Sequence, residues 1–142
     1  MTSKLLVAID FSPLSLRAVE YAVDFVKGSS RTIDLLHVSQ DALPAHAVIN
    51  APADLLEQIR EGERSRADLE IQKVMDLVPQ AHRGTPVIRR GPPAETICNE
   101  AKNGYDLVVV STHGRTGLSQ FFIGSVAERV VRLSPIPVLV VR

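Results

Sequence analysis

Tryptophan is absent from this 142-residue chain, and Phe and Tyr together bring the aromatic share to only 4%. Domains that grip single-stranded RNA or DNA stack bases on exposed rings, and there is little here to stack on. Net charge is lacking too: 16 Lys and Arg balance 16 Asp and Glu, so the chain carries no basic footprint of the kind nucleic acid demands. Cysteine occurs once, at Cys98, which excludes an internal disulfide and reads as a small buried hydrophobe. His37, His46, His82 and His113 are scattered, with no metal-ligand spacing among them or with Cys98. No apolar run approaches the ~20 residues that span a bilayer, so no membrane partner is expected. Met1 to Lys4 leads straight into a strand-like run with no secretory pattern, and the expected location is the cytoplasm.

What is present suits one globular domain over residues 1–142, with 45% hydrophobic residues to build a core. Lys4 to Ile9 is a short apolar run ending in Asp10, the pattern of a buried parallel strand. Ser12 and Pro13 supply an N-cap and a first-turn proline, and Leu16, Val19, Val23 and Val26 follow at helical spacing up to Gly28. Thr32 to Val38 predicts a second strand. Residues 39–53 show no period and are expected to form the longest loop. Asp54 is the expected cap of a long helix to about Val78, with Ala67, Ile71, Val74 and Val78 on one face, a break marked by Gly62 and a stop at Pro79. Thr85 to Arg90 predicts a third strand. Gly91-Pro-Pro93 opens a helix ending near Asn103-Gly104. Leu107 to Thr112, Ser125 to Leu133 and Val138 to Val141 predict a strand, a helix and a last strand.

Strands alternating with helices imply right-handed crossovers and a parallel sheet covered on both faces. The predicted fold is α/β, one doubly wound five-stranded parallel sheet of order 3-2-1-4-5. Ligands on such sheets bind beyond the carboxyl ends of the strands where the order reverses, here between strands one and four. Asp10 and Ser111 stand at those two ends. Arg64 and Arg66 have acidic neighbours and read as a solvated helix face, while Arg89 and Arg90 discourage unwanted pairing at an edge strand.

The segment after the fourth strand, Ser111 to Val126, carries most of the chemistry: STHGRTGLSQFFIGSV. A strand enters a glycine- and hydroxyl-rich loop and a helix leaves it, so backbone N–H groups and a helix N-terminus can face a phosphate. Gly114 and Gly124 can adopt positive φ or let a ligand approach the backbone closely, and Arg115 adds a cation. No Lys lies between 111 and 126, which excludes a P-loop, and no G-x-G-x-x-G follows the first strand, which excludes the dinucleotide fingerprint. The spacing Ser111-x2-Gly114-x9-Gly124-Ser125 instead resembles the nucleotide-binding signature of the universal stress protein family, G-x2-G-x9-G-S/T. The resemblance extends to KLLVAIDFS at the start, LLHV at 35–38, GPPAETI at 91–97 and SPIPVLVVR at the end. One position departs from it: the first motif glycine is Ser111, whose hydroxymethyl group lies where a ribose would be expected.

That resemblance implies an adenine nucleotide, ATP or AMP, with any Mg2+ held through its phosphates. It places Asp10 and the backbone of Ala8 beside the nucleotide and has the backbone of Val38 read the adenine edge. Val110 would pack nearby, Ser111, Gly114 and Arg115 would border ribose and phosphates, and Gly124, Ser125 and Val126 would present N–H groups. The plainer readings are that Asp10 caps the first helix, Val38 is the last core residue of its strand, Gly124 is a turn and Ser125 an N-cap. His113 has no partner assignable from sequence and suits a structural or ribose-side role better than that of a general base. Efficient phosphoryl transfer needs concentrated positive charge on the phosphates, and Arg115 alone supplies it in the loop, so at most slow hydrolysis is expected. The resemblance also implies a homodimer through the apolar strand 137–141, and an unknown protein partner. The rival is a dimeric interaction module of the same fold that binds no nucleotide. A flavodoxin-like carrier is disfavoured by the lack of Trp and the scarcity of Tyr.

Overall fold

The computed structural model describes residues 3–40, 43–113 and 122–142. Five strands, β1 (Lys4–Ile9), β2 (Thr32–Ser39), β3 (Arg83–Arg90), β4 (Leu107–Ser111) and β5 (Val138–Val141), form one sheet of order β3-β2-β1-β4-β5. All neighbouring pairs are parallel. The helices are α1 (Pro13–Val26), α2 (Ala45–Asn50), α3 (Ala53–Met75), α4 (Pro93–Glu100) and α5 (Ser125–Leu133), with a 3-10 turn at Gln80–His82. The predicted architecture and strand order are those observed.

Strand alternation divides the core in two. Leu5, Val7, Ile9, Ile33, Leu35 and Val109 point to one face, where α1 contributes Val19, Ala22 and Val26 and α3 contributes Ile71 and Val74. Leu6, Leu36, Val108 and Val110 point to the other, beneath Ala94, Ile97 and Cys98 of α4 and Ala127 and Val130 of α5. Each fully buried Leu, Ile or Val contributes about 1.5–3 kcal/mol of transfer free energy, which is why both faces hold their helices. Burial, reinforced by Glu95, raises the Cys98 thiol above its ordinary ionisation range, so it is packing rather than a reactive group.

Several boundaries differ from expectation. The stretch read as one long loop contains α2, a short helix with no buried residue, so no apolar face existed for periodicity to reveal. Pro52 precedes α3 as its cap, and Asp54 sits inside the first turn, where a carboxylate still favours the helix dipole. Gly62 does not interrupt α3: a Cβ there would meet nothing within 4 Å, and one glycine costs a long helix only about 1 kcal/mol. That helix ends at Met75 and α4 at Glu100, both short of expectation, while β4 ends at Ser111 rather than Thr112.

Candidate functional site

The strand registers open a crevice where the order reverses. β1 pairs with β4 only from Leu5↔Leu107 to Val7↔Val109. On the other sides pairing continues, to Ile9↔His37 between β1 and β2 and to Ser111↔Val141 between β4 and β5. Over Ala8 to Asp10 and Val110 to Ser111 the two central strands therefore part, at their carboxyl ends. This is where a doubly wound sheet admits a ligand.

On the β1 side the chain turns sharply into α1. The Ser12 N–H donates to Asp10 Oδ1 at 3.0 Å, and the Asp10 N–H donates to Ser15 Oγ at 3.4 Å. Ser12 is the N-cap of α1, accepting the Ser15 N–H at 3.2 Å. The cap is thus the one predicted, and the Asp10 carboxylate supports the turn before it. Between them Phe11 has φ of 65°, a left-handed conformation costing a side-chain-bearing residue about 1–2 kcal/mol. Its ring lies 4.5 Å from that of His37, whose Nδ1 is 3.0 Å from the Ile9 carbonyl oxygen. Neither Phe11 nor His37 stood out as a site residue in the sequence, since a strained φ leaves no compositional mark outside glycine. Ala8 and Val38 are half-buried, and Val38 pairs with Arg89 of β3 one residue beyond the end of the β1–β2 ladder.

On the β4 side Val110 is buried among the α4 and α5 side chains. Ser111 keeps a negative φ, since Phe11 alone among described non-glycine residues departs from it. Its hydroxyl donates to the His113 carbonyl at 2.9 Å. Serine is therefore accommodated here without backbone strain, its Oγ turned onto its own loop. The Thr112 hydroxyl lies 2.9 Å from His113 Nδ1, which gives His113 a structural partner. Gly114 and Arg115 lie outside the described residues.

Gly124 closes the loop. Its N–H donates to the Thr112 carbonyl at 2.6 Å, so the two ends of the excursion are held together. Its φ is −65°, so positive φ is not the reason for glycine. A Cβ would stand 2.7 Å from that same carbonyl oxygen; the backbone approach forbids a side chain. Gly124 is also the N-cap of α5, which makes Ser125 the first helical residue instead of the cap. Glycine offers no side-chain oxygen to the first-turn N–H groups, and Ser125 and Val126 are exposed there. A helix start that no side chain caps among the described residues, beside a glycine cradle, suits a phosphate oxygen. Among the described residues no group of three or more His, Cys, Asp or Glu side chains could hold a metal ion. No described helix is long and apolar enough to cross a membrane.

A model of the universal stress protein family matches residues 1–142, the whole chain. The chain belongs to the universal stress protein family. Universal stress protein YxiE of Bacillus subtilis is 34% identical over 100% of both chains. Among solved structures, that of MJ0577, a universal stress protein of Methanocaldococcus jannaschii, superposes with a TM-score of 0.85 at 26% identity, covering 99% of this chain and 96% of that one. A universal stress protein family member from Arabidopsis thaliana, solved with AMP bound, has a TM-score of 0.67 at 23% identity, covering 97% of this chain and 90% of that one.

Proposed function

We propose that this universal stress protein binds an adenine nucleotide, ATP, in the crevice between the carboxyl ends of β1 and β4, and that occupancy switches what its partners meet. The single observation that carries the reading is the Gly124 junction. There a glycine pressed to 2.7 Å of the Thr112 carbonyl, by the position of its absent Cβ, begins an α5 that no side chain caps among the described residues. The α5 first turn, at Ser125 and Val126, would meet phosphate oxygens, with Gly114 and Arg115 alongside. The turn at Asp10 and the strand ends at Ala8, Val38 and Val110 would enclose the nucleoside, with Ser111 at the ribose. Mg2+ would enter with the triphosphate and be held mainly by its oxygens.

Binding of AMP by the Arabidopsis protein supports the adenine nucleotide class. The choice of ATP rests on the phosphate-facing helix start and Arg115. Turnover is not part of the proposal, because the sequence places one cation in the loop and phosphoryl transfer needs more. Titration calorimetry with Mg-ATP, comparing the parent chain with Asp10→Ala, tests the reading. Saturable one-to-one binding that weakens at least tenfold in the variant, about 1.4 kcal/mol, is the expected result. No heat at millimolar Mg-ATP or AMP would overturn it and leave a dimeric interaction module as the reading.

A further inference from the structure

Phe11 and His37 are joined to each other where the β1–β2 ladder stops. Ile9↔His37 is the last register pair, and beyond it a side chain takes over from the backbone. The Ile9 carbonyl oxygen can only accept, so the 3.0 Å contact with His37 requires the proton on Nδ1. The same imidazole meets the Phe11 ring at 4.5 Å between centroids, tilted by 34°. Phe11 is the described non-glycine residue with left-handed backbone, and such a conformation persists only where its surroundings enforce it. Both rings are half-buried, and Phe11 packs against the edge of the core beneath α1 and α3. Directly before Phe11 stands Asp10, and directly after it the Ser12 N–H that binds the Asp10 carboxylate.

We propose that Phe11 and His37 are positioning residues: a two-ring clamp, His37 of β2 against Phe11 of the turn after β1, that holds this turn and so fixes the Asp10 carboxylate at the nucleoside end of the crevice. The clamp deepens the nucleotide reading and depends on it only for the ligand. Without the His37 hydrogen bond and ring contact, Phe11 relaxes toward negative φ, the Ser12–Asp10 hydrogen bond opens and the nucleoside wall loses its shape. The phosphate end, built from α5 and Gly124, is left as it was. The effect is therefore directional, falling on the nucleoside and not on the phosphates.

The test uses the full chain with His37→Leu and His37→Asn, since an Asn side-chain N–H can occupy the place of Nδ1–H. In the ligand-free protein, amide exchange at Ser12 should accelerate about tenfold in H37L, the scale of one lost hydrogen bond, and return toward the parent rate in H37N. In parallel, affinity for adenosine should fall about tenfold in H37L while inorganic tripolyphosphate competes equally well against both proteins. Unchanged Ser12 exchange in a folded H37L would overturn the clamp. So would equal loss of adenosine and tripolyphosphate, or a ring 15N spectrum of the parent placing the His37 proton on Nε2. Should H37L fail to fold, Phe11→Leu, which deletes only the ring contact, is judged by the same Ser12 exchange. A parent protein that binds neither adenosine nor ATP would sink the nucleotide reading, and the ligand-free exchange rates would still decide the clamp.

Discussion

Gly124 illustrates how a single missing methyl group can be read in two ways. Spacing marks it as a motif glycine, yet its φ of −65° is open to any residue. The constraint comes from the Thr112 carbonyl, 2.7 Å from where a Cβ would lie. Gly124→Val should therefore displace the junction, costing about 1–3 kcal/mol of stability from overpacking and abolishing measurable Mg-ATP binding. Thermal unfolding and calorimetry on one preparation check both. Ser111 predicts the opposite. With negative φ and its hydroxyl on the His113 carbonyl, it has no strain for glycine to relieve, so Ser111→Gly should change nucleotide affinity by less than about 1 kcal/mol. A larger gain would mean that the serine side chain obstructs the ribose. Position and spacing of these residues were legible in the sequence. The reason for each was not, because a close approach between backbones belongs to two distant segments at once.

Elements show the same division between pattern and contact. β1 and β4 announce themselves as apolar runs because both faces of the sheet are covered, and β2 does so in spite of Asp34 and His37. β3 hides its first residues, since an irregularity shifts the register from Ile33↔Arg83 to Leu35↔Pro86. Asp34 explains it: its buried carboxylate accepts the Thr85 N–H at 2.8 Å and the Tyr105 hydroxyl at 2.9 Å, with Lys4 Nζ 3.9 Å away. Gly84 is required beside it, because a Cβ would fall 1.8 Å from Asp34 Oδ1. No periodicity could disclose a polar knot joining three strands and the α4–β4 turn. Burial first, and then the Asp34 hydrogen bond and charge, hold the Tyr105 hydroxyl well above its ordinary ionisation range. The folded protein keeps that proton, whereas the unfolded chain releases it above about pH 10. Stability from this group is thus complete below pH ~10 and is lost as pH rises beyond it. Tyr105→Phe should cost about 1–3 kcal/mol near neutrality by leaving Asp34 short of a donor. It should also flatten the alkaline decline, as urea midpoints at pH 8 and above 10 would record.

On the scale of the whole molecule, alternation of strands and helices made the sheet order legible, and the order placed the crevice before any distance was known. Among the described residues β5 is an edge strand. The Val108 N–H donates to the Pro137 carbonyl and the Thr112 N–H to the Val141 carbonyl, so alternate β5 residues face β4 and the Val140 N–H points away from the sheet. If two copies pair through β5, Val140→Pro should remove an intermolecular donor while sparing the β4 ladder. Light scattering would then report a monomer, with far-UV circular dichroism unchanged. A parent protein already monomeric at micromolar concentration would contradict the dimer. The nucleotide remains the central claim. Native mass spectrometry of the freshly purified chain, followed by denaturation and identification of whatever is released, addresses it most directly. A bound adenine nucleotide, ATP or AMP, at one per chain is the expected result. An empty protein that also takes up no added Mg-ATP in the same spectrum would contradict it.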